Sequence, residues 1–204
     1  PTIAPYILPD LLSMLAEVYP DLEPRFVEEQ TQHLITRLRN GNLDLAIMAL
    51  PSEATGMVDS PLYTEKFSIV CPPDHPIAGR EDVELAELKD LDLLLLGDGH
   101  CLRDQVVDLC RHANINPAEA TNSVTRASSL TTIMQLVMGG LGCTLVPESA
   151  LATECHGKDV AIAHFASDVT AEREVGLVFR SSAARAEEFR EFGTLITAAY
   201  NKAI

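Results

Sequence analysis

The chain is 204 residues long, 47% apolar and 22% charged, which supports a buried core and excludes collagen, coiled coil, disordered tail and disulfide-stapled miniprotein. Fifteen basic residues against thirty acidic ones give a net charge of −15, a surface that repels phosphate backbones and excludes DNA binding through a basic patch on these residues. No apolar run approaches the roughly 18–20 residues of a spanning helix, so no membrane partner is expected.

Leu8, Leu11, Leu12, Leu15 and Val18 recur at helical spacing, and Pro20 ends the run. Leu22 to Glu28 reads as a strand, and 31–39 as a short helix with Leu34, Ile35 and Leu38 on one face and Gly41 as its C-cap. Leu43 to Leu50 has the continuous apolar character of strands buried in parallel sheets. One or two further strands are expected over 61–71, before Pro72-Pro73-Asp74-His75-Pro76 breaks the chain.

A second set of elements follows. Leu85 to Lys89 reads as a short helix, Leu93 to Leu96 as a buried strand, Gly97-Asp98-Gly99 as a turn and 101–112 as a helix. Leu130, Ile133, Met134 and Val137 mark another helix, and Gly139 to Gly142 turn into a strand over Cys143 to Val146. After a weakly patterned stretch, Val175 to Phe179 is a strand and 183–202 a long amphipathic helix. The alternation predicts α/β architecture in two lobes, each a mixed sheet flanked by helices. Lobe I is expected to comprise 1–71 and 173–204, and lobe II 72–172.

The five cysteines, Cys71, Cys101, Cys110, Cys143 and Cys155, are odd in number and unevenly spaced, which suits a reducing cytoplasm better than a secreted disulfide framework. Cys101 follows a glycine turn and falls in the first turn of a predicted helix, where unpaired backbone N–H groups and the helix dipole favour the nucleophilic thiolate. His100 and Arg103 can add positive charge or hydrogen bonds, while Asp98 and Asp104 act in the opposite sense. Cys101 and Cys110 are nine residues apart, about 13.5 Å of rise on a continuous helix. A disulfide needs Cα atoms roughly 4.4–6.8 Å apart, so joining these two requires the helix to refold, and such a bond is a switch. Two cysteines so spaced are also ordinarily just small, partly buried residues, and the spacing leaves both readings open. No C-x-x-C pair exists to support zinc, despite His112 and Cys155-His156, so no metal is expected. Gly139-Gly140-Leu141-Gly142 runs from helix to strand, opposite to phosphate-cradling loops, and reads as a cap and turn. Thr2 and Thr31 are by themselves ordinary capping threonines.

Three stretches resemble the effector-binding domain of LysR-type transcriptional regulators: Pro1-Thr2-Ile3-Ala4-Pro5-Tyr6-Ile7-Leu8-Pro9, Leu43-Asp44-Leu45-Ala46-Ile47, and Ser129-Leu130 through Gly140-Leu141-Gly142-Cys143-Thr144-Leu145-Val146-Pro147. Asp98-Gly99-His100-Cys101-Leu102-Arg103-Asp104-Gln105, with Cys110 following, is similar to the redox segment of the peroxide-sensing members, as are Gln30-Thr31 and Arg173 through Arg180. The resemblance implies a two-lobed α/β domain of the periplasmic-binding-protein-like type 2 class. It also implies an N-terminal winged helix-turn-helix through which alone DNA is bound, and the opening at Pro1, with no Met or leader, agrees with such a domain upstream.

By the same resemblance, Cys101 is the peroxide-reacting cysteine and Cys110 its disulfide partner, with Thr2, Thr31, His100 and Arg173 around the peroxide. Cys101 passes through a sulfenic acid, and a cellular thiol reductant resets the disulfide. The implied partners are hydrogen peroxide and further copies of the chain, as dimer or tetramer. No cofactor is implied, and stoichiometric sensing is not enzymatic turnover. Three other readings are a LysR-type domain gated by a metabolite in the interlobe cleft, a solute-binding protein of similar fold, and a thiol peroxidase.

Overall fold

In chain order the elements are α1 (Ala4–Val18), α2 (Thr31–Arg39), β1 (Leu45–Ala49), β2 (Met57–Cys71), β3 (Leu93–Leu96), α3 (Cys101–His112), α4 (Pro117–Ala120), β4 (Thr121–Ala127), α5 (Leu130–Met138), β5 (Thr144–Pro147), α6 (Glu148–Cys155), β6 (Ala161–Ala163), β7 (Glu172–Arg180) and α7 (Ala186–Ala203). This computed structural model describes the backbone of residues 1–204 and all side chains except those of 121–126. The chain divides into two compact units, Pro1–Glu65 with Arg173–Ile204, and Lys66–Glu172. The first crossing falls at 65/66 instead of the expected 71/72, because β2 is one strand whose last residues, from Phe67, pair with β5 and β6.

In the first unit β1 and β7 pair antiparallel, Leu45 opposite Phe179 through Ala49 opposite Val175. Alternation divides their side chains between two cores. Val175, Leu177 and Phe179 pack with Ile7, Leu11 and Leu15 of α1 and Phe189, Ile196 and Tyr200 of α7. Ala46, Met48 and Val178 face the other way, onto Leu34, Ile35 and Leu38 of α2. Helices on both faces explain the continuous apolar run at 43–50. The antiparallel partner corrects the parallel-sheet reading, since burial on two faces does not encode strand direction. Leu22 to Glu28 is not a strand either: no partner edge pairs with it, and Leu22, Phe26 and Val27 are exposed.

In the second unit the end of β2 lies between β5 and β6, antiparallel to both, with Val70 opposite Thr144 and Cys71 opposite Ala161. β3 pairs parallel with β4 and bridges to Cys143 on its other side. That contact depends on Gly142, where a Cβ would run into the Asp92 carbonyl oxygen and where φ is +147°. α5 buries Leu130, Ile133, Met134 and Val137, and its N-cap Ser129 hydroxyl accepts the Thr132 N–H at 3.2 Å. The expected helix at 85–89 is a 3-10 turn over Leu85–Asp90, closed by a Glu84–Glu87 capping box. α6 and β6 fill part of the weakly patterned stretch. Among the described residues no helix is long and apolar enough to cross a membrane.

Candidate functional site

The turn after β3 ends at Gly99, whose φ of +89° disfavours any side chain, and it delivers His100 as the N-cap of α3. The His100 carbonyl accepts the Arg103 N–H at 3.0 Å and so starts the helical ladder. Cys101 is therefore the first residue of α3, half-buried and free. Leu102, Val106, Leu109 and Cys110 form the buried face, at the spacing a helix packed on one side requires. Cys110 is wholly buried, and burial pushes its thiol pKa up. The helix is continuous between the two cysteines, so the rise of about 13.5 Å expected from their spacing stands and keeps them apart.

Two buried polar atoms flank Cys101. His100 Nδ1 and Gln105 Oε1 are shielded from solvent and meet no hydrogen-bond partner among the described residues. Such atoms are costly unless a small polar molecule completes them. Gln105, one helical turn after Cys101, was not singled out in the sequence, where an exposed helical glutamine would look the same. Burial lowers the His100 pKa and so favours the neutral ring, and with it hydrogen bonding over added charge, the two roles expected there. Arg103 is engaged as well, reaching Asp98 Oδ1 at 3.0 Å and Asp104 Oδ1 at 3.4 Å.

The first unit holds the other expected residues. Arg173 is buried, and its Nε donates to Glu65 Oε2 at 2.7 Å. Its Nη1 donates to Thr2 Oγ1 at 2.9 Å and its Nη2 to the Thr2 carbonyl at 2.8 Å. The fork thus clamps the chain's second residue to a wholly buried carboxylate. Glu65 escaped the sequence reading. Its one local signal was an acidic residue two positions before the buried run Phe67–Cys71 of β2. Thr31 is the first residue of α2, with Gln30 as N-cap, so it is not the cap itself.

The remaining cysteines lie in the second unit. Cys71 and Cys143 are wholly buried and Cys155 is half-buried. Burial pushes the Cys143 thiol up to about 12 and that of Cys155 up to about 11. Among the described residues no three His, Cys, Asp or Glu side chains converge as a metal site.

Comparison with known proteins adds to this geometry. The LysR substrate binding domain family model matches residues 1–201. A probable hydrogen peroxide-inducible genes activator of Mycobacterium avium is 47% identical over 196 residues, 96% of this chain and 62% of that protein. The chain thus spans about three fifths of that relative's length. A Corynebacterium glutamicum OxyR cysteine-to-serine mutant, H2O2-bound, superposes with a TM-score of 0.97 at 60% identity, covering 100% of this chain and 63% of that one. The oxidized form of OxyR from the same organism gives 0.88 at 61% identity, covering 100% and 62%.

Proposed function

The chain belongs to the LysR substrate binding domain family, with its α/β fold of the periplasmic-binding-protein-like type, and from that premise we propose that it is the hydrogen-peroxide-sensing regulatory domain of a transcription factor. The observation that carries the reading is Cys101 at the first position of α3, a half-buried free thiol that follows His100 and precedes Gln105 by one helical turn, with His100 Nδ1 and Gln105 Oε1 both buried and without a partner among the described residues. A relative solved both H2O2-bound, as a mutant, and in an oxidized form supports the same chemistry.

In the proposed reaction the Cys101 thiolate attacks one peroxide oxygen. The O–O bond breaks, and hydroxide leaves and takes a proton. Cys101 becomes a sulfenic acid. The Cys110 sulfur then displaces the sulfenic oxygen as water, giving a disulfide and a net loss of two hydrogens per chain. A neutral His100 donates or accepts a hydrogen bond to the peroxide without adding charge. Thr2, Thr31 and Arg173 are the further residues assigned to the peroxide. Arg173, already held by Glu65, acts there by orienting the Thr2 hydroxyl. The chain consumes one peroxide per oxidation and is reset by a cellular thiol reductant in the cytoplasm.

DNA contact belongs to a winged helix-turn-helix outside these residues, which agrees with the net charge of −15. Self-association as dimer or tetramer is supported by exposed Leu12, Val18, Tyr19, Leu22, Phe26 and Val27 in the first unit. Intact mass before and after one equivalent of H2O2 tests the reading. A loss of two mass units with tryptic peptides 90–103 and 104–111 joined is expected. An unchanged mass, or the same loss at the same rate in Cys101→Ser, overturns it.

A further inference from the structure

The cysteines that the switch does not use are not all isolated. β2 and β5 run antiparallel with Phe67 opposite Pro147, Ser68 opposite Val146, Ile69 opposite Leu145 and Val70 opposite Thr144. The paired residues end there, and extending the register by one step beyond them would set Cys71 opposite Cys143. The backbone of Cys143 says which kind of pair this is. Its N–H donates to the Asp92 carbonyl at 3.4 Å and its carbonyl accepts the Leu94 N–H at 2.7 Å, both toward β3. In a strand the N–H and C=O of one residue point to the same side, so Cys143 offers neither to β2. Cys71 and Cys143 therefore occupy a non-hydrogen-bonded cross-strand site. There the facing Cα atoms are about 4.5 Å apart and the side chains stand on one face of the sheet. That separation lies within the roughly 4.4–6.8 Å a disulfide spans.

We propose that Cys71 and Cys143 are a second redox couple, a cross-strand dithiol that excess peroxide closes to a disulfide without rearranging the sheet. Two features set its rate. Both side chains are wholly buried, so peroxide meets them only when the sheet opens locally. Burial foremost, with the Cys71 thiol beside it contributing, pushes the Cys143 thiol up to about 12, and burial raises Cys71 as well. At pH 7.5 a thiol of pKa about 12 is ionised roughly once in thirty thousand molecules. The first oxidation gives a sulfenic acid and water. The facing thiol then displaces a second water, so two thiols and one H2O2 yield one disulfide and two waters. The site is independent of Cys101 and of the peroxide-sensing reading. Its product ties β2 to the residue whose backbone holds β3, the strand that leads into the Cys101 turn.

Disulfide mapping tests the proposal. The protein is treated with one and then with fifty equivalents of H2O2, alkylated in denaturant and digested with trypsin. At fifty equivalents peptide 67–80 should be joined to 127–158 through Cys143, which a second cleavage after Glu148 separates from Cys155, in a phase at least a hundredfold slower than the first disulfide. Repeating the count on the Cys101→Ser/Cys110→Ser variant isolates the couple, because only Cys71, Cys143 and Cys155 remain and three free thiols should fall to one. Recovery of Cys71 and Cys143 alkylated, as sulfinic acids, or bridged to Cys155, in a protein whose circular dichroism is unchanged, overturns the proposal in either background. Loss of the first disulfide alone leaves this inference standing and removes the sensing one.

Discussion

α3 and the β2–β5 ladder each carry two cysteines, and secondary structure gives the two pairs opposite properties. On α3 the thiols are only nine positions apart in sequence and are separated by the rise of the helix. In the second unit they are 72 positions apart, one step past the last β2–β5 pair, Val70 opposite Thr144, where the proposed register sets them face to face. Oxidation of the first pair must melt three turns whose Leu102, Val106 and Leu109 are buried, at a cost of roughly 5–9 kcal/mol if those side chains found no new packing. Closing so short a loop stabilises by only about 2.5–3 kcal/mol in the chain-entropy account. Reburial of these residues elsewhere would recover that cost, and the separation of the two thiols along the helix means that joining them requires a conformational change. Oxidation of the second pair needs no such change and acts as a staple. Under the two proposals, the helix pair would make a switch and the sheet pair a lock.

The largest effect expected is on kinetics. In Cys101→Ser the fast oxidation disappears, while the slow appearance of the 67–80 to 127–158 link continues. Quenched-flow thiol counting separates the phases, and a lost slow phase would mean that the sheet pair is oxidised only through Cys101. Hydrogen exchange should show the structural contrast. Residues 99–112 lose protection when Cys101 and Cys110 join, whereas β2 and β5 gain it when Cys71 and Cys143 do.

The next effect is on stability. A Cys71–Cys143 bond closes a loop of 73 residues, worth about 4 kcal/mol against the unfolded chain. In the Cys101→Ser/Cys110→Ser variant the urea midpoint should rise on oxidation and return with dithiothreitol. A fall instead would show that the sheet is distorted by the bond.

A smaller, pH-dependent effect distinguishes the pairs by ionisation. The folded-state pKa of Cys143 is raised to about 12 from about 9, so its contribution to stability is complete below pH 9 and is lost as pH climbs toward 12. The slow oxidation should accelerate by up to tenfold per pH unit over the same window, as the thiolate fraction grows. A slow phase flat from pH 8 to 10 would show that sheet opening, and not ionisation, limits it.

How much of this the sequence disclosed depends on the range of each interaction. The helix start at Cys101 was legible because Gly-Asp-Gly followed by an amphipathic run is local information, and α3 begins where that pattern puts it. The strand expected at 22–28 failed because pairing needs an edge, which local propensity does not supply. The role of Glu65 was hidden because its partner Arg173 lies 108 positions away. The Cys71–Cys143 register was hidden for the same reason. Neither cysteine has a local motif, and only extension of the β2–β5 register by one step sets them face to face.

The smallest effect expected is at Thr31, and it sharpens the contrast because it should touch one pair only. Thr31→Val keeps the shape of the first α2 residue and removes a hydroxyl; Gln30, not Thr31, is the N-cap, so helix stability should change little. If that hydroxyl orients peroxide at Cys101, the fast phase slows about tenfold, equivalent to about 1.4 kcal/mol in the barrier, and the slow sheet phase is unchanged. Thr2→Val is the less clean probe. It strips Arg173 Nη1 of its 2.9 Å acceptor in a buried cluster and should cost about 1–3 kcal/mol of stability besides any effect on rate. Stopped-flow traces for Thr31→Val with both phases at wild-type rates would return Thr31 to the first turn of a helix and leave peroxide orientation to His100 and Gln105.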